Sequence, residues 1–291
     1  MKHIFIVNPT SGNGDYRRIV KWLNENLDPS IYEVHYTEYA GHATEIASRY
    51  KEGVYLYSVG GDGTAFEVLN GLNLEVPLSL IPAGTGNDFF KMFKFDGSLE
   101  ELVKKSIENQ NIIKVDFGEV NGKRFMNCSN IGVDADVNAY ANNIRPKHIS
   151  RKFVYAYSAI VKIFTMKPTK LNIIADGETI NKDITLFSIM NGRWYGNGFK
   201  SAPNALVDDG LFDVCMVDAL SIPRALFLVA KYFKGTHLGL KEVDLKHLKR
   251  LTISSDKPIT YGCDGEIFTD DVLEYQIHEN ALKLRGPDTI Y

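Results

Sequence analysis

Over the first hundred residues, short apolar runs alternate with stretches whose apolar residues recur every three or four positions. Strand-like runs cover Ile4–Val7, Tyr32–Thr37, Val54–Val59 and Leu78–Ile81. Helical periodicity covers 19–27, 43–50 and 64–72, and a capping box at Ser98 and Glu101 predicts a further helix to about Asn109. Strands separated by helices of this length predict an α/β fold with a doubly wound parallel sheet.

After about Val115 the pattern changes to closely spaced strands with short polar turns. Asn121-Gly122 and Asp176-Gly177 each lie between two strand-like segments, which is a strong hairpin signal. Helical stretches at 152–166 and 224–234 interrupt these strands. We therefore expect an N-terminal α/β domain at 1–115 and a mainly antiparallel domain at 116–280. The strand-like C-terminal segment, 281–291, is expected to pack back on the N-terminal domain.

Charge and cysteine content exclude several classes of protein. The net charge of −3 leaves no basic excess for a polyanion, so we expect no nucleic-acid partner. Three cysteines with neither disulfide-framework nor zinc-like spacing are typical of a reducing cytosol. No apolar run approaches the about 18 residues of a membrane-spanning helix. We expect a cytoplasmic protein whose membrane contact, if it has one, is peripheral.

The segment Gly60-Gly61-Asp62-Gly63-Thr64 directly follows a strand and precedes a helix. Glycines let the backbone approach a ligand, and the start of a helix presents N–H groups and a positive dipole end to an anion. This context predicts a phosphate-binding turn. A carboxylate at the centre of this turn would repel the phosphate unless a metal ion or a proton lay between the two negative groups. Asp62 is therefore either a Mg²⁺ ligand, through water, or the base that receives a hydroxyl proton.

Two further glycine loops follow other strands. Residues 8–14 (NPTSGNG) and 82–88 (PAGTGND) combine glycines with hydroxyl and amide side chains, and Asn87 or Asp88 is placed to cap the next helix. Ligands of open parallel sheets bind outside the carboxyl ends of the strands, so the three loops predict one site for a polyphosphate. The P-loop and dinucleotide fingerprints, and the motifs of serine hydrolases and zinc proteases, do not occur.

Asp264-Gly265-Glu266 lies far downstream, between two strand-like segments. Taken alone, such a sequence is a common hairpin turn. Together with the N-terminal loops, its two carboxylates predict a contribution to a Mg²⁺ and general-base set.

Six blocks in order make the chain resemble the diacylglycerol kinase catalytic-domain family, in its bacterial lipid-kinase branch, which is related to sphingosine kinases. They are NPTSGNG at 8–14, GGDGT at 60–64, PAGTGNDF at 82–89, NIGVDADV at 130–137, GNGFKSAPNALVDDGLFDV at 196–214 and DGE at 264–266. The resemblance implies an N-terminal α/β domain, a C-terminal β-sandwich and ATP in the cleft between them. It implies a Mg²⁺-dependent kinase that phosphorylates the hydroxyl of diacylglycerol or a similar lipid alcohol.

The resemblance also implies roles for particular residues. The implied ATP contacts are Asn8, Pro9, Thr10, Ser11, Gly12, Thr37, Gly60, Gly61, Asp62, Gly63, Thr64, Glu67 and Thr85. Glu266 falls at the family's proton acceptor, with Asp264 beside it, although Asp62 stays an alternative base. A second Mg²⁺ is implied at the carboxylate of Asp209 and the carbonyl groups of Leu206 and Leu211.

Several alternatives stay open at the level of sequence. Both helical stretches of the second domain mix aromatic residues with Lys and Arg, which suits either an anionic bilayer surface or packing on the sandwich. An NAD kinase-like enzyme would share GGDGT, and a non-catalytic nucleotide- or lipid-binding regulator would share the fold. The acceptor could be diacylglycerol, phosphatidylglycerol, a ceramide-like base or an undecaprenol-type alcohol. A homodimer is the default expectation for oligomeric state.

Overall fold

A computed structural model describes residues 1–12, 14–109, 111–143, 151–196 and 198–286, without the side chains at 134, 138, 141–143, 151–153, 155 and 156. The chain divides into two compact units. Unit 1 contains residues 1–116 and 279–291, and unit 2 contains residues 117–278. The boundaries expected from the sequence, 115/116 and 280/281, lie within two residues of this division.

Unit 1 is built on a parallel sheet. Its strands are β1 (Lys2–Val7), β2 (Tyr32–Tyr36), β3 (Val54–Gly60) and β4 (Leu78–Pro82), in the order β2-β1-β3-β4. All three neighbouring pairs are parallel. The end of the last strand of the chain adds to the outer edge of β4, where Leu284 pairs with Leu78 in parallel.

Helices cover both faces of this sheet, as the doubly wound prediction requires. They are α1 (Tyr16–Asn26), α2 (His42–Ser48), α3 (Asp62–Gly71) and α4 (Leu99–Glu108). Alternate strand residues such as Phe5 and Tyr57 pack on α1 and α4, through side chains such as Leu23 and Leu102. The intervening strand residues face α2 and α3, because successive side chains of a strand point to opposite faces. The predicted capping box of Ser98 and Glu101 is present at the start of α4.

Unit 2 is antiparallel. Its strands are β5 (Ile112–Val120, which begins in unit 1), β6 (Lys123–Phe125), β7 (Cys128–Gly132), β8 (Thr169–Ala175), β9 (Glu178–Met190), β10 (Phe212–Asp218), β11 (Val243–Leu248), β12 (Arg250–Cys263) and β13 (Glu266–Arg285). Strands β9 and β12 are central: each pairs with both β7 and β8, and β9 also pairs with β10. This is the C-terminal β-sandwich that the resemblance implied.

Both hairpins predicted in unit 2 are confirmed. Asn121-Gly122 joins β5 to β6, and Asp176-Gly177 joins β8 to β9. All four turn residues have positive φ, between 48° and 79°. Two-residue hairpin loops need this left-handed conformation, which asparagine, aspartate and glycine tolerate best.

Three helices pack on the sandwich: α5 (Val133–Asn143), α6 (Arg151–Ile163) and α7 (Ile222–Lys234). Two of them lie at the stretches that the sequence predicted as helical. Buried residues from all three, such as Val137, Ala159 and Leu228, share a core with β10. In the described part of the chain, no helix combines the length and the apolar character needed to cross a membrane.

One buried histidine makes the stability of unit 1 depend on pH. His3 is 7% exposed, and its Nδ1 lies 2.7 Å from the hydroxyl of Tyr57. Burial, with the positive charge of Arg285, lowers the pKa of His3 to about 4. A histidine with a depressed folded-state pKa stabilises the protein above its unfolded pKa of about 6.5, and this contribution is lost as pH falls towards 4.

We predict that lowering the pH from 7 to 4 costs the protein about 2 to 3 kcal/mol of unfolding free energy through His3 alone. Urea unfolding at a series of pH values, compared between the native chain and His3→Gln, isolates this contribution because all other groups are shared. Identical pH dependence of the two proteins would show that His3 does not titrate in this way.

Candidate functional site

The candidate site of unit 1 lies at the carboxyl edge of the parallel sheet. The chain leaves β1 towards β2 on one side and leaves β3 towards β4 on the other, so the strand order reverses between β1 and β3. Open α/β sheets bind ligands in the crevice at such a reversal. The loop after β1 begins at Asn8 and the glycine turn after β3 begins at Gly61, so both flank the reversal.

The three glycine loops touch one another through their backbones. A Cβ atom on Gly12, whose φ is +59°, would collide with the carbonyl oxygen of Ala83 in the third loop. A Cβ on Gly61 would lie 3.3 Å from the Cα of Gly84 and 3.5 Å from the Oγ of Ser11. Only glycine allows this approach at Gly84, where a Cβ would overlap Gly61. The structure therefore brings together the three loops that the sequence assigned to one site.

Asn8 links the first loop to the second. Its Nδ2 donates to the Oγ1 of Thr64 at 3.1 Å, and its Oδ1 accepts from the N–H and the hydroxyl of Thr10 at 3.0 and 2.8 Å. Thr64 is buried in the first turn of α3, whereas Thr10 is exposed. Both hydroxyls are thereby fixed in place beside the start of α3.

Asp62 links the second loop to the third. Its Oδ1 accepts the backbone N–H of Asp88 at 2.8 Å. Asp88 in turn forms an ion pair with Lys91. The carboxylate that the sequence assigned to Mg²⁺ or to proton transfer therefore also holds the loop 82–88 over α3.

The third loop differs from its prediction in one respect. The expected cap at Asn87 or Asp88 is not formed: the loop is followed by a single 3₁₀ turn, Phe89–Met92, without a side-chain cap hydrogen bond. Instead, Asn87 adopts a φ of 51° and its Nδ2 donates to the carbonyl groups of Pro82 and Gly84. Asn87 thus closes the loop on itself and leaves Thr85 exposed. Asparagine tolerates this left-handed conformation, which is the only sequence signal for its role.

A recess of about 600 Å³, partly open to solvent, adjoins the loops. Five of the predicted nucleotide contacts line it: Asn8, Thr10, Thr37, Thr64 and Glu67. Glu67 has a structural task there, since its two oxygens accept the N–H groups of Gly41 and Ala43 at 2.9 and 3.1 Å. These amides belong to the start of α2, whose N-cap is a glycine without a side chain. Glu67 therefore replaces the missing cap of α2.

The candidate carboxylates of unit 2 lie at a hairpin. Asp264 and Gly265, with φ of 46° and 97°, join β12 to β13. The carboxylate of Asp264 accepts three backbone N–H groups, from Met126, Asn127 and Cys128, at 2.7 to 3.0 Å. Glu266, the first residue of β13, is exposed. Asp264 thus anchors the turn to the segment before β7, and Glu266 follows it as an exposed residue of β13.

The predicted second Mg²⁺ segment, 206–211, precedes β10. The Oδ1 of Asp209 accepts the N–H of Leu211 at 3.0 Å. Burial raises the pKa of Asp209, and the charge of Asp208 adds to this. Burial also raises the pKa of Asp213, with Asp209 adding and His247, 3.2 Å away, opposing. Burial is thus the main reason that the pKa values of both carboxyl groups are raised.

No cluster of three or more His, Cys, Asp or Glu side chains suited to a metal ion occurs among the residues that the structure describes. A cation at 206–211 would therefore be held by Asp209 together with carbonyl oxygens such as those of Leu206 and Leu211. Such hard oxygen ligands fit Mg²⁺.

Unit 2 also contains an apolar cavity between the sandwich and its helices. Its walls come from α5, α6 and α7 and from strands β9 and β10, through residues such as Val137, Ile163, Leu186, Val217 and Leu228. The empty space between these side chains, including the part that is open to solvent, is about 520 Å³. The lining is apolar, so the cavity suits a hydrocarbon.

Comparison with known proteins gives a consistent result. The family model described as "Diacylglycerol kinase catalytic domain" matches residues 2–120, and that described as "YegS C-terminal NAD kinase beta sandwich-like domain" matches residues 128–285. The diacylglycerol kinase of Staphylococcus aureus (strain MRSA252) is 30% identical over 269 residues, which cover 90% of this chain and 84% of that protein. The diacylglycerol kinase of Bacillus subtilis (strain 168) is 26% identical over 270 residues, covering 90% and 88%.

Solved structures agree on the fold. A crystal structure of a diacylglycerol kinase from Bacillus anthracis (strain Sterne) superposes with a TM-score of 0.72 at 21% identity, covering 100% of this chain and 98% of that one.

We predict that Gly84→Ala lowers the affinity of the protein for ATP about tenfold or more, because the added methyl group forces the second and third loops apart. Isothermal titration with ATP measures this. Gly53→Ala is the control for a destabilising glycine substitution away from the loops: the positive φ of Gly53 strains an alanine there, but the added methyl group meets no other atom within 4 Å. Equal ATP affinity in the two variants would contradict a nucleotide site at the loops.

Proposed function

Because the chain belongs to the diacylglycerol kinase family, we propose that it transfers the γ-phosphate of ATP to the hydroxyl of diacylglycerol or a similar lipid alcohol. Family membership makes the protein a lipid kinase with an alcohol group as acceptor. ATP as the donor, Mg²⁺ as its partner and the identity of the lipid belong to the proposal.

The observation that supports ATP most directly is the backbone contact among the three glycine loops. Because Gly12 and Gly84 allow these loops to touch, their N–H groups and the start of α3 are concentrated at one edge of the sheet. Phosphate oxygens need many such donors, and a helix start adds a favourable dipole of about 0.3 to 1 kcal/mol for each contact. We assign the triphosphate to this edge and the nucleoside to the recess that extends to Thr37.

Within this proposal, the residues of unit 1 act mainly by positioning. Asn8 fixes the hydroxyls of Thr10 and Thr64, and Asp62 holds the third loop through Asp88. We assign to Asp62 a water-mediated contact with the Mg²⁺ that accompanies ATP. When bound, this ion neutralises charge that develops on the phosphates. Phosphoryl transfer needs little covalent help from the protein, so positioning of this kind carries most of the catalysis.

We assign proton acceptance to Glu266. The carboxylate of Asp264 accepts three backbone N–H groups, and that of Asp62 accepts the N–H of Asp88. Glu266 is exposed at the start of β13, two residues after the anchored Asp264. A general base needs both access to the acceptor hydroxyl and a fixed position. In this proposal, Asp264 is a positioning residue for Glu266.

The apolar cavity of unit 2 supports a lipid as the acceptor. We propose that it receives part of the hydrocarbon of the acceptor. A water-soluble acceptor such as NAD has no use for such a cavity, so this observation favours the lipid over the NAD kinase-like alternative.

We predict that Glu266→Gln and Asp62→Asn each lower kcat for ATP-dependent phosphorylation of diacylglycerol by about a hundredfold or more. Labelled ATP with detergent-dispersed diacylglycerol provides the assay. The control variants Glu178→Gln and Asp96→Asn change exposed carboxylates elsewhere and should retain native kcat.

Full activity in Glu266→Gln would remove that residue from the chemistry. Phosphorylation of NAD but of no lipid by the native protein would replace the proposal with an NAD kinase. ATP binding without transfer to any lipid alcohol would indicate a non-catalytic regulator.

We predict that Val229→Phe raises KM roughly tenfold for long-chain diacylglycerol, because the larger side chain fills the cavity that Val229 lines. KM for a short-chain diacylglycerol should change much less. Val272→Phe, on an exposed strand position, serves as the control for the added ring. If Val229→Phe had the native KM for the long-chain lipid, the cavity would not be part of the acceptor-binding site.

A further inference from the structure

Helix α7 is apolar on the side that faces solvent as well as on the side that faces the protein. Its inner residues, Ala225, Leu228 and Tyr232, are buried, and with Val229 they line the apolar cavity. Its outer face, which we define as Ile222, Pro223, Leu226, Phe227, Ala230 and Phe233, is exposed. A helix on the surface of a globular protein normally places polar residues there.

The exposed part of this outer face is large. Phe227 is 45% exposed, Phe233 53%, and Ile222 and Leu226 38% each. Within the outer face, positions 222, 226, 230 and 233 recur at spacings of three and four, so the apolar residues form one stripe along the helix instead of isolated side chains. A contiguous exposed stripe of this kind usually marks a surface that binds a partner.

The charged residues of α7 itself are all basic. The sequence of α7, IPRALFLVAKYFK, contains no acidic residue. Lys231 lies beside the stripe, with its Nζ 5.8 Å from the ring centroid of Phe227, and Lys234 is exposed at the end of the helix. Arg224 stacks on the same ring but forms a two-point ion pair with Glu242. The two lysines therefore provide the positive charge available to a partner.

We propose that the outer face of α7 binds the surface of an anionic lipid bilayer. Lysines flanking exposed phenylalanine and leucine are complementary to such a surface, because the apolar groups enter the boundary of the acyl chains while the lysines reach the head groups. The helix has 13 residues, roughly 20 Å, and so lies along the surface instead of crossing it.

The proposal rests on the proposed function for its choice of partner, since a lipid acceptor is itself held in a bilayer. The proposal adds that α7 is the element that contacts the bilayer. The inner face of the same helix lines the cavity assigned to the hydrocarbon, so α7 would separate that cavity from the bilayer by the thickness of one helix. The inner face of α7 is packed in the core of unit 2. The outer face can therefore bind a bilayer while this packing stays intact.

The test is co-sedimentation of the full chain with phosphatidylcholine vesicles, with and without phosphatidylglycerol. Leu226→Ser with Phe227→Ser should lower the partition coefficient on anionic vesicles by roughly tenfold to thirtyfold, from the apolar area no longer inserted. Phe233 is kept because its ring packs edge-on against Phe199. The matched control is Ile174→Ser with Val272→Ser, which removes two side chains of similar exposure, 45% and 44%, from strands of the same unit.

A second variant tests the electrostatic part without touching the apolar stripe. Lys231→Gln with Lys234→Gln should weaken binding to anionic vesicles by a factor of about five for each lysine and leave the weak binding to neutral vesicles unchanged. This variant keeps the proposal testable even if the double serine variant unfolds.

Several results would overturn the proposal. They are native binding in both α7 variants, no binding of the native chain to anionic vesicles, or a dimer that the serine variant dissociates while vesicle binding is unchanged. The last result would assign the stripe to a second copy of the chain. Phosphorylation of detergent-dispersed diacylglycerol without vesicle binding would reject the α7 inference and keep the proposed function. Vesicle binding through α7 without kinase activity would reject the proposed function and keep the α7 inference.

Discussion

The candidate site depends on one backbone contact, that between Gly61 and Gly84. Adjacent parallel strands place the ends of β3 and β4 side by side, so the loops after them compete for the same space. Glycine at both positions allows the two loops to fit, because neither loop carries a side chain at the point of contact. The contacts of Asn8 with Thr64 and of Asp62 with Asp88 then fix loops that are already in place. The groups to which we assign the phosphates are consequently main-chain groups, whose positions follow from the register of the sheet.

Three carboxylates at motif positions hold the backbone in place. Glu67 replaces the N-cap of α2, Asp62 holds the third loop, and Asp264 accepts three backbone N–H groups. The sequence analysis assigned Asp62 and Asp264 to catalysis or metal binding, and Glu67 to ATP binding. In unit 2 the anchoring carboxylate and the proposed base are different residues, since Asp264 anchors the turn and Glu266 follows it on β13. Substitution of any of the three anchoring residues would therefore disturb the geometry of the loops, in addition to any contact that the residue makes with a ligand.

The sequence predicted those parts of the fold that rest on local signals. Apolar periodicity located the strands of unit 1, and the two turns with glycine at their second position located the hairpins of unit 2. The start of α3 was placed at Thr64 instead of Asp62, because Asp62 and Gly63 carry no apolar signal. The tasks of Glu67, Asn87 and Asp264 could not be predicted, since their hydrogen-bond partners are either in another element or depend on an unusual backbone angle. Likewise, sequence showed α7 to be aromatic and basic, but only burial separates its inner face from its outer one.

The last strand has a consequence for how the protein is made. Residues 279–286 complete the sheet of unit 1: the N–H of Asn280 donates to Asp116, and Arg285 donates to the carbonyl groups of Ile107 and Asn109 at the end of α4. These residues leave the ribosome after all of unit 2. Throughout synthesis of residues 117–278, the edge of β4 therefore lacks the neighbour it has in the finished protein. An exposed parallel edge is prone to wrong pairing, so the nascent chain is most vulnerable to aggregation during this interval.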